Sequence, residues 1–180
     1  MSEVLVNPYR FGVACAEATY GQTTTNAQRI IGYGREGIAF EPTAGNSIFE
    51  KTIKSVTVKL DTDGGSPDQT LSVRVRNSSG AIIETFGSRD LSSNPLYPVT
   101  PTEYTFNDNE IALSSGDMIT LEYPVGSGSD PIQSRIYANG ETYVSNANTL
   151  ASTTGDLTSW SEWSSGVEFF WMWFSCVYCE

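Results

Sequence analysis

The run I-K-S-V-T-V-K-L (53–60), D-T-D-G-G-S-P-D (61–68), Q-T-L-S-V-R-V-R (69–76), N-S-S-G (77–80) and A-I-I-E-T-F (81–86) decides the fold. Val56, Val58 and Leu60 alternate with Ser55, Thr57 and Lys59, and Leu71, Val73 and Val75 alternate with Ser72, Arg74 and Arg76. A period of two puts apolar side chains on one face of a strand and polar ones on the other. One dry face and one wet face is the pattern of an antiparallel sheet, not of a parallel sheet buried on both sides. Asn77-Ser-Ser-Gly80 is turn chemistry, with a glycine able to take positive φ and an asparagine able to bond its own backbone. The stretch is therefore expected to form a three-stranded meander, and the whole chain an all-β antiparallel β-sandwich.

The pattern repeats outward from there. Strands are expected at Phe11–Thr19, around Ile38 and Phe40 up to Pro42, at Glu103–Phe106, Glu110–Leu113, Met118–Tyr123, Gln133–Ala138 and Glu141–Ser145, the last two joined by the hairpin dipeptide Asn139-Gly140. Tyr20–Arg29, Ser88–Thr102 and Asn146–Ser159 read as loops, and Ser114–Asp117 as a tight turn. The final strand, Val167–Tyr178, has apolar residues on both faces and is expected to be central and well covered. Residues 1–12 read as an N-terminal arm, since Pro8 cannot donate to a sheet ladder, and 13–180 as a single domain. The segment lacks the basic start and long apolar run of a signal peptide.

Composition narrows the function. The chain has 180 residues, 21 acidic against 10 basic side chains, a net charge of −11 and no histidine. So acidic a surface repels phosphate, which argues against nucleic acid as a partner. The absence of histidine removes Ser-His-Asp and Cys-His nucleophiles and most zinc hydrolase sites. No phosphate-binding or dinucleotide-binding glycine motif is present. Asp61-Thr-Asp63 begins like a calcium loop, but Gly65 stands where the third oxygen ligand belongs. Asp61, Asp63 and Asp68 are then the candidates for a looser calcium site, with a plain acidic turn as the default. No enzyme activity, cofactor or resident metal is expected, and no apolar run is long enough to span a membrane.

Three cysteines, Cys15, Cys176 and Cys179, leave their pairing open. A C-x-x-C with no second pair is not a zinc site. A bridge from Cys15 to one of the other two requires that the first and last strands be neighbours, and the remaining thiol is then free or bonds between chains.

The segments S-V-T-V-K-L (55–60), L-S-V-R-V-R-N-S-S-G (71–80), Y-T-F (104–106) with I-A-L-S-S-G-D-M-I-T-L-E-Y (111–123), and the tryptophan-containing turn before an aromatic last strand (160–174) resemble jelly-roll β-sandwich modules of phage and virus structural proteins and of carbohydrate-binding-like surface domains. The opener N-P-Y-R-F-G (7–12) looks like the start of some phage structural proteins. The resemblance implies an accessory or structural module, in the first instance a capsid decoration or other particle-surface protein made in the host cytoplasm and carried on the virion. Its partners would be itself, as a homo-oligomer or lattice, or a capsid or tail protein. Tyr9, Arg10, Phe11, Leu96 and Tyr97 are the candidate contacts. The alternative is a carbohydrate-binding module or adhesin for a cell-surface glycan, with Tyr137, Tyr143, Trp160 and Trp163 as candidate stacking platforms.

Overall fold

A computed structural model describes residues 15–22, 27–31, 36–62, 69–91, 101–124, 132–137, 146–152, 157–162, 164–165, 168–169, 171–172 and 174–180. All regular structure among them is β. In chain order the strands are β1 (Glu17–Gln22), β2 (Ala27–Ile31), β3 (Gly37–Pro42), β4 (Thr52–Thr62), β5 (Thr70–Arg76), β6 (Ile82–Asp90), β7 (Thr102–Phe106), β8 (Ile111–Ala112), β9 (Met118–Glu122), β10 (Ile132–Tyr137), β11 (Ala147–Ser152), β12 (Ser161–Glu162), β13 (Ser164–Ser165), β14 (Glu168–Phe169), β15 (Trp171–Met172) and β16 (Phe174–Cys179).

Two antiparallel sheets pack face to face. In the first, β1 pairs β16, β16 pairs β4, and β4 pairs β7 along its other edge. In the second, β3 pairs β9, β9 pairs β5, and β5 pairs β6. These eight strands, ordered 1-16-4-7 and 3-9-5-6, have the connectivity of a jelly roll, the double-sheet solution that the sequence resemblance implied. Between β9 and β16 the chain adds material to both sheets. Strand β10 takes up the β4 edge where β16 ends, with Ser134 opposite Leu60, and carries β2 and β15 with it; β11 and β12 extend the second sheet beyond β3.

This order corrects the expected meander. Strands β5 and β6 do form the hairpin that Asn77–Gly80 announces, but β4 lies in the opposite sheet. Period-two alternation says which side of a strand faces the core, and both sheets of a sandwich face the same core. The pattern therefore cannot say which sheet a strand joins.

Inward-facing residues of both sheets form one core: Val56, Val58 and Leu60 of β4, Leu71, Val73 and Val75 of β5, Ile119 and Leu121 of β9, and Tyr104 and Phe106 of β7 are all buried. Phe40 of β3 and Phe174 of β16 meet across the two sheets with ring centroids 4.6 Å apart, and Tyr20 of β1 lies 5.8 Å from each. Strand β4 breaks its own alternation: Ile53 and Val56 are both fully buried although they lie three positions apart. The ladder explains it. Tyr178 pairs Ile53 and Val177 pairs Ser55, so Lys54 is the extra residue of a β-bulge that restores the phase. Lys54 turns outward and bridges Glu17 and Glu110 at 3.1 and 3.2 Å.

Other boundaries differ from expectation as well. The first strand begins at Glu17 and reaches Gln22, and β2 follows, so Tyr20–Arg29 is not one loop. The third strand of the central stretch continues past Phe86 to Asp90 through two irregularities. Ala147–Ser152, expected as loop, is a strand whose outer partner is β12 and inner partner β3. Along the aromatic C-terminal run the partners change: Glu168–Phe169 pairs β13, Trp171–Met172 pairs β10, and Phe174–Cys179 sits between β1 and β4. Within that central piece Phe174, Cys176 and Tyr178 are buried while Ser175, Val177 and Cys179 are half-buried, so one face is covered better than the other. The Asn139-Gly140 hairpin and Glu141–Ser145 lie outside the described residues.

The first and last strands are neighbours, and Cys15 and Cys179 form a disulfide, leaving Cys176 as a buried free thiol. The bridge closes a loop of 164 residues, which in the chain-entropy view is worth about 4–5 kcal/mol against the unfolded state.

Truncating Phe174 removes the ring that joins the two sheets. Phe174→Ala is expected to lower unfolding free energy by about 3–5 kcal/mol in a denaturant titration.

Candidate functional site

The strand registers sort every connection to one of two ends. Gln22 at the end of β1 lies opposite Phe174 at the start of β16, Phe174 pairs Val58 near the end of β4, and Leu60 pairs Thr102 at the start of β7. In the second sheet Gly37 at the start of β3 pairs Glu122 at the end of β9, Glu122 pairs Ser72 at the start of β5, and Thr70 pairs Asp90 at the end of β6. The four connections 23–36, 63–69, 91–101 and 123–173 therefore all leave from and return to the same end. The opposite end has the turns 43–51, 77–81 and 107–117 together with the disulfide.

Leu96 and Tyr97 belong to the β6–β7 connection, Tyr137, Tyr143, Trp160 and Trp163 all belong to the β9–β16 connection, and Tyr9, Arg10 and Phe11 precede β1. Tyr9, Arg10, Phe11, Leu96, Tyr97, Tyr143 and Trp163 themselves lie outside the described residues, and Tyr137 is described as the last residue of β10. Of the calcium candidates, Asp63 and Asp68 lie outside the described residues and Asp61 pairs Gln133 in the β4–β10 ladder. No group of three or more Asp, Glu, Cys or His side chains able to hold a metal occurs among the described residues.

Trp160 is the one aromatic candidate with a described side chain, and the fold uses it. Its indole Nε1 donates to the Leu157 carbonyl at 2.9 Å, and Arg76 stands 6.0 Å from the ring centroid. Gly37 permits this: a Cβ there would meet the ring at 2.6 Å. Residues 157–160 thus lie over the outward face of the second sheet, the face that alternation marked as wet.

Beneath them is a charged cluster that the motif reading did not single out. Glu122 is fully buried, and Arg76 is 5% exposed. Arg76 Nε donates to Glu122 Oε1 at 2.6 Å and Nη2 to Oε2 at 3.1 Å, a two-pronged grip. Arg74 Nη1 donates to Oε2 at 2.6 Å, and Thr120 Oγ1 to Oε1 at 2.7 Å. Arg76 Nη1 goes to the Gly80 carbonyl at 2.6 Å, tying the cluster to the β5–β6 turn. Burial pushes the Glu122 carboxyl upward, but the bonds from Arg76 and Thr120 and the charges of Arg76 and Arg74 outweigh it and hold it below the usual carboxylate range. A signal existed in the sequence: Arg74 and Arg76 occupy the polar phase of β5, and Thr120 and Glu122 that of β9. Opposite charges in matching phases of two strands are what adjacent strands pair across a ladder.

Glu122 is enclosed: four donor atoms from three residues fill its two oxygens, while Arg74 Nε is buried without a hydrogen-bond partner among the described residues. The Cys176 thiol is pushed up to about 12, mainly by burial, so it is no nucleophile at neutral pH. Two further cations are engaged: Lys59 pairs Glu103 at 3.3 Å, and Arg89 stands 5.3 Å from the Tyr104 ring.

Two measurements follow from this geometry. Glu122→Gln is expected to destabilise the protein by about 3–5 kcal/mol at neutral pH, because it leaves Arg76 buried without its anion. Glu122 is more acidic folded than unfolded, so its contribution is complete above about pH 4 and fades as pH falls through the lower folded value. The stability gap between wild type and variant should therefore narrow below about pH 4 in denaturant titrations. Gly80 takes φ of 81° and a Cβ there would meet the Thr158 carbonyl oxygen at 2.7 Å. Gly80→Ala should cost more than about 1 kcal/mol, read as a lower Tm. Comparison with known protein families, with characterised proteins and with solved structures found no match for this chain.

Proposed function

We propose that this protein is a non-enzymatic structural protein of a virus particle, a capsid decoration or other particle-surface protein that works through protein–protein contacts. The observation that carries the reading is the division of the jelly roll into two ends. The chain before β1 joins at the disulfide end, and four connections, two of them longer than any at that end, leave from the other, so a rigid two-sheet body offers separate contact regions on opposite sides. Such a body suits a protein that touches one neighbour through an arm bearing Tyr9, Arg10 and Phe11 and another through the loop bearing Leu96 and Tyr97. Binding residues concentrate on loops held by a rigid scaffold. The acidic surplus favours a basic partner or contacts that bury few charges.

A carbohydrate-binding module or adhesin is the second reading. It is favoured by the placing of Tyr137, Tyr143, Trp160 and Trp163 on one connection, and weakened at Trp160 by the packing described above.

The test is the assembly state of the purified chain by light scattering, with and without residues 1–12. The expected result is a homo-oligomer that dissociates when the arm is removed or when Leu96 and Tyr97 are both changed to Ser. Association should strengthen with added salt, which screens repulsion between copies carrying −11 each. A monomer at every salt and protein concentration, together with binding on a glycan array, would replace this reading with the second one.

A further inference from the structure

The region where the chain closes on itself carries a device beyond the proposed contacts. Strand β1 has a ladder partner on one side only among the described residues, namely β16. It buries little: Glu17, Thr19 and Gly21 are exposed, and only Ala18 and Tyr20 pack against the core. Tyr20 does most of the holding, through its ring contacts with Phe40 and Phe174 and a 3.1 Å bond from Asn46 Nδ2 to its hydroxyl. Tyr20 also pairs with Cys176, the buried free thiol, so β1 flanks that residue on one side and β4, through Val56, on the other. At the far end of the same ladder Glu17 pairs Cys179, and Cys179 is bonded to Cys15, two residues before β1 begins.

The bridge and the thiol stand on opposite faces of β16. Residues 176 and 179 are three apart in an extended strand, with Cys176 buried and Cys179 half-buried. They cannot exchange partners while the ladder is intact. What the bridge does control is β1, since an edge strand with two inward side chains frays easily once its end is released.

We propose that the Cys15–Cys179 disulfide is a redox latch on β1: closed, it holds β1 over Cys176 and anchors the preceding arm; open, it lets β1 leave β16 and uncovers Cys176 while the rest of the sandwich stays folded. Opening consumes one dithiol reductant. Two electrons and two protons pass to the bridge, giving the Cys15 and Cys179 thiols, and the reductant becomes its cyclic disulfide.

The test uses the full chain and a maleimide probe read by mass spectrometry, with amide exchange as the control for folding. In oxidised wild type no cysteine should label under native conditions. In wild type reduced with dithiothreitol, and in the double variant Cys15→Ser, Cys179→Ser, where Cys176 is the only thiol, Cys176 should label at least tenfold faster. Exchange in 17–22 should rise at least tenfold in both, while Val56–Leu60 and Ile119–Leu121 keep their protection. The proposal is overturned if Cys176 stays as slow as in the oxidised protein, or if β4 and β9 lose protection together with β1, since the bridge would then support the whole fold and not one strand.

Discussion

The structure depends on one act of pairing: β16 enters the first sheet between β1 and β4. Six residue pairs join it to β1, and a second ladder joins it to β4. Its inward side chains, Phe174, Cys176 and Tyr178, occupy the middle of that sheet's inner face, and Phe174 reaches Phe40 of the opposite sheet. Until the last strand arrives, β1 and β4 have no common neighbour, so the sheet that covers half the core cannot be complete. Such long-range pairing carries a high closure entropy and is expected to make folding slow. The same arrangement brings the chain ends together, which is what allows a disulfide between residues 164 positions apart.

From that closure follows the division of labour between the two ends and the two outer faces. Because successive strands cross between the sheets everywhere but at the β5–β6 hairpin, the connections 23–36, 63–69, 91–101 and 123–173 gather at one end and 43–51, 77–81 and 107–117 at the other. The outer face of the first sheet is ordinary: Thr57 and Thr105 share a 2.8 Å hydrogen bond and Lys59 faces Glu103 across the strands, all in contact with solvent. The second sheet differs. Residues 157–160 lie over its outer face at Gly37, Arg76 and Gly80, and the buried Glu122 is tolerated only because two guanidinium groups and a hydroxyl replace the water it has lost. An ion cluster of this kind adds less net stability than its short distances suggest, because desolvation offsets most of the attraction. What it does supply is intolerance of any rearrangement that would separate Arg76 from Glu122, and hence a defined register between β5 and β9.

Much of the fold was legible in the residues. Alternation in 55–60, 71–76, 104–106 and 118–123 located four of the eight jelly-roll strands and their inward sides. Asn77–Gly80 behaves as its composition says: Asn77 Oδ1 accepts from the Ser79 and Ala81 amides, and Gly80 takes positive φ. The spacing of Ile53 and Val56 even carried the bulge at Lys54, though only a ladder shows which residue is extra. Sheet membership was not legible, because inward faces look alike from both sheets, and so β4 was grouped with β5 by sequence proximity alone. Ala147–Ser152 is hard to read as a strand because Ala147, Thr149 and Ala151 are buried while Leu150 is only half-buried, so small and polar residues stand where a strand's apolar phase belongs. The wet face expected for β5 proved buried, since a local pattern cannot register a segment some 80 residues away that folds over it. Of the candidate contacts, the topology arranges the segments that carry them, and their chemistry remains for the assembly measurements.

The account's central claim is the placement of β16 beside β4 with β5 in the opposite sheet, and interstrand nuclear Overhauser effects test it most directly. The account predicts backbone cross-peaks from Phe174 to both Val58 and Gln22, and from Val73 to both Leu121 and Gly87. Cross-peaks joining Val58 to Val73 or its neighbours, with none between Phe174 and Val58, would place β4 against β5 in a single meander and contradict it.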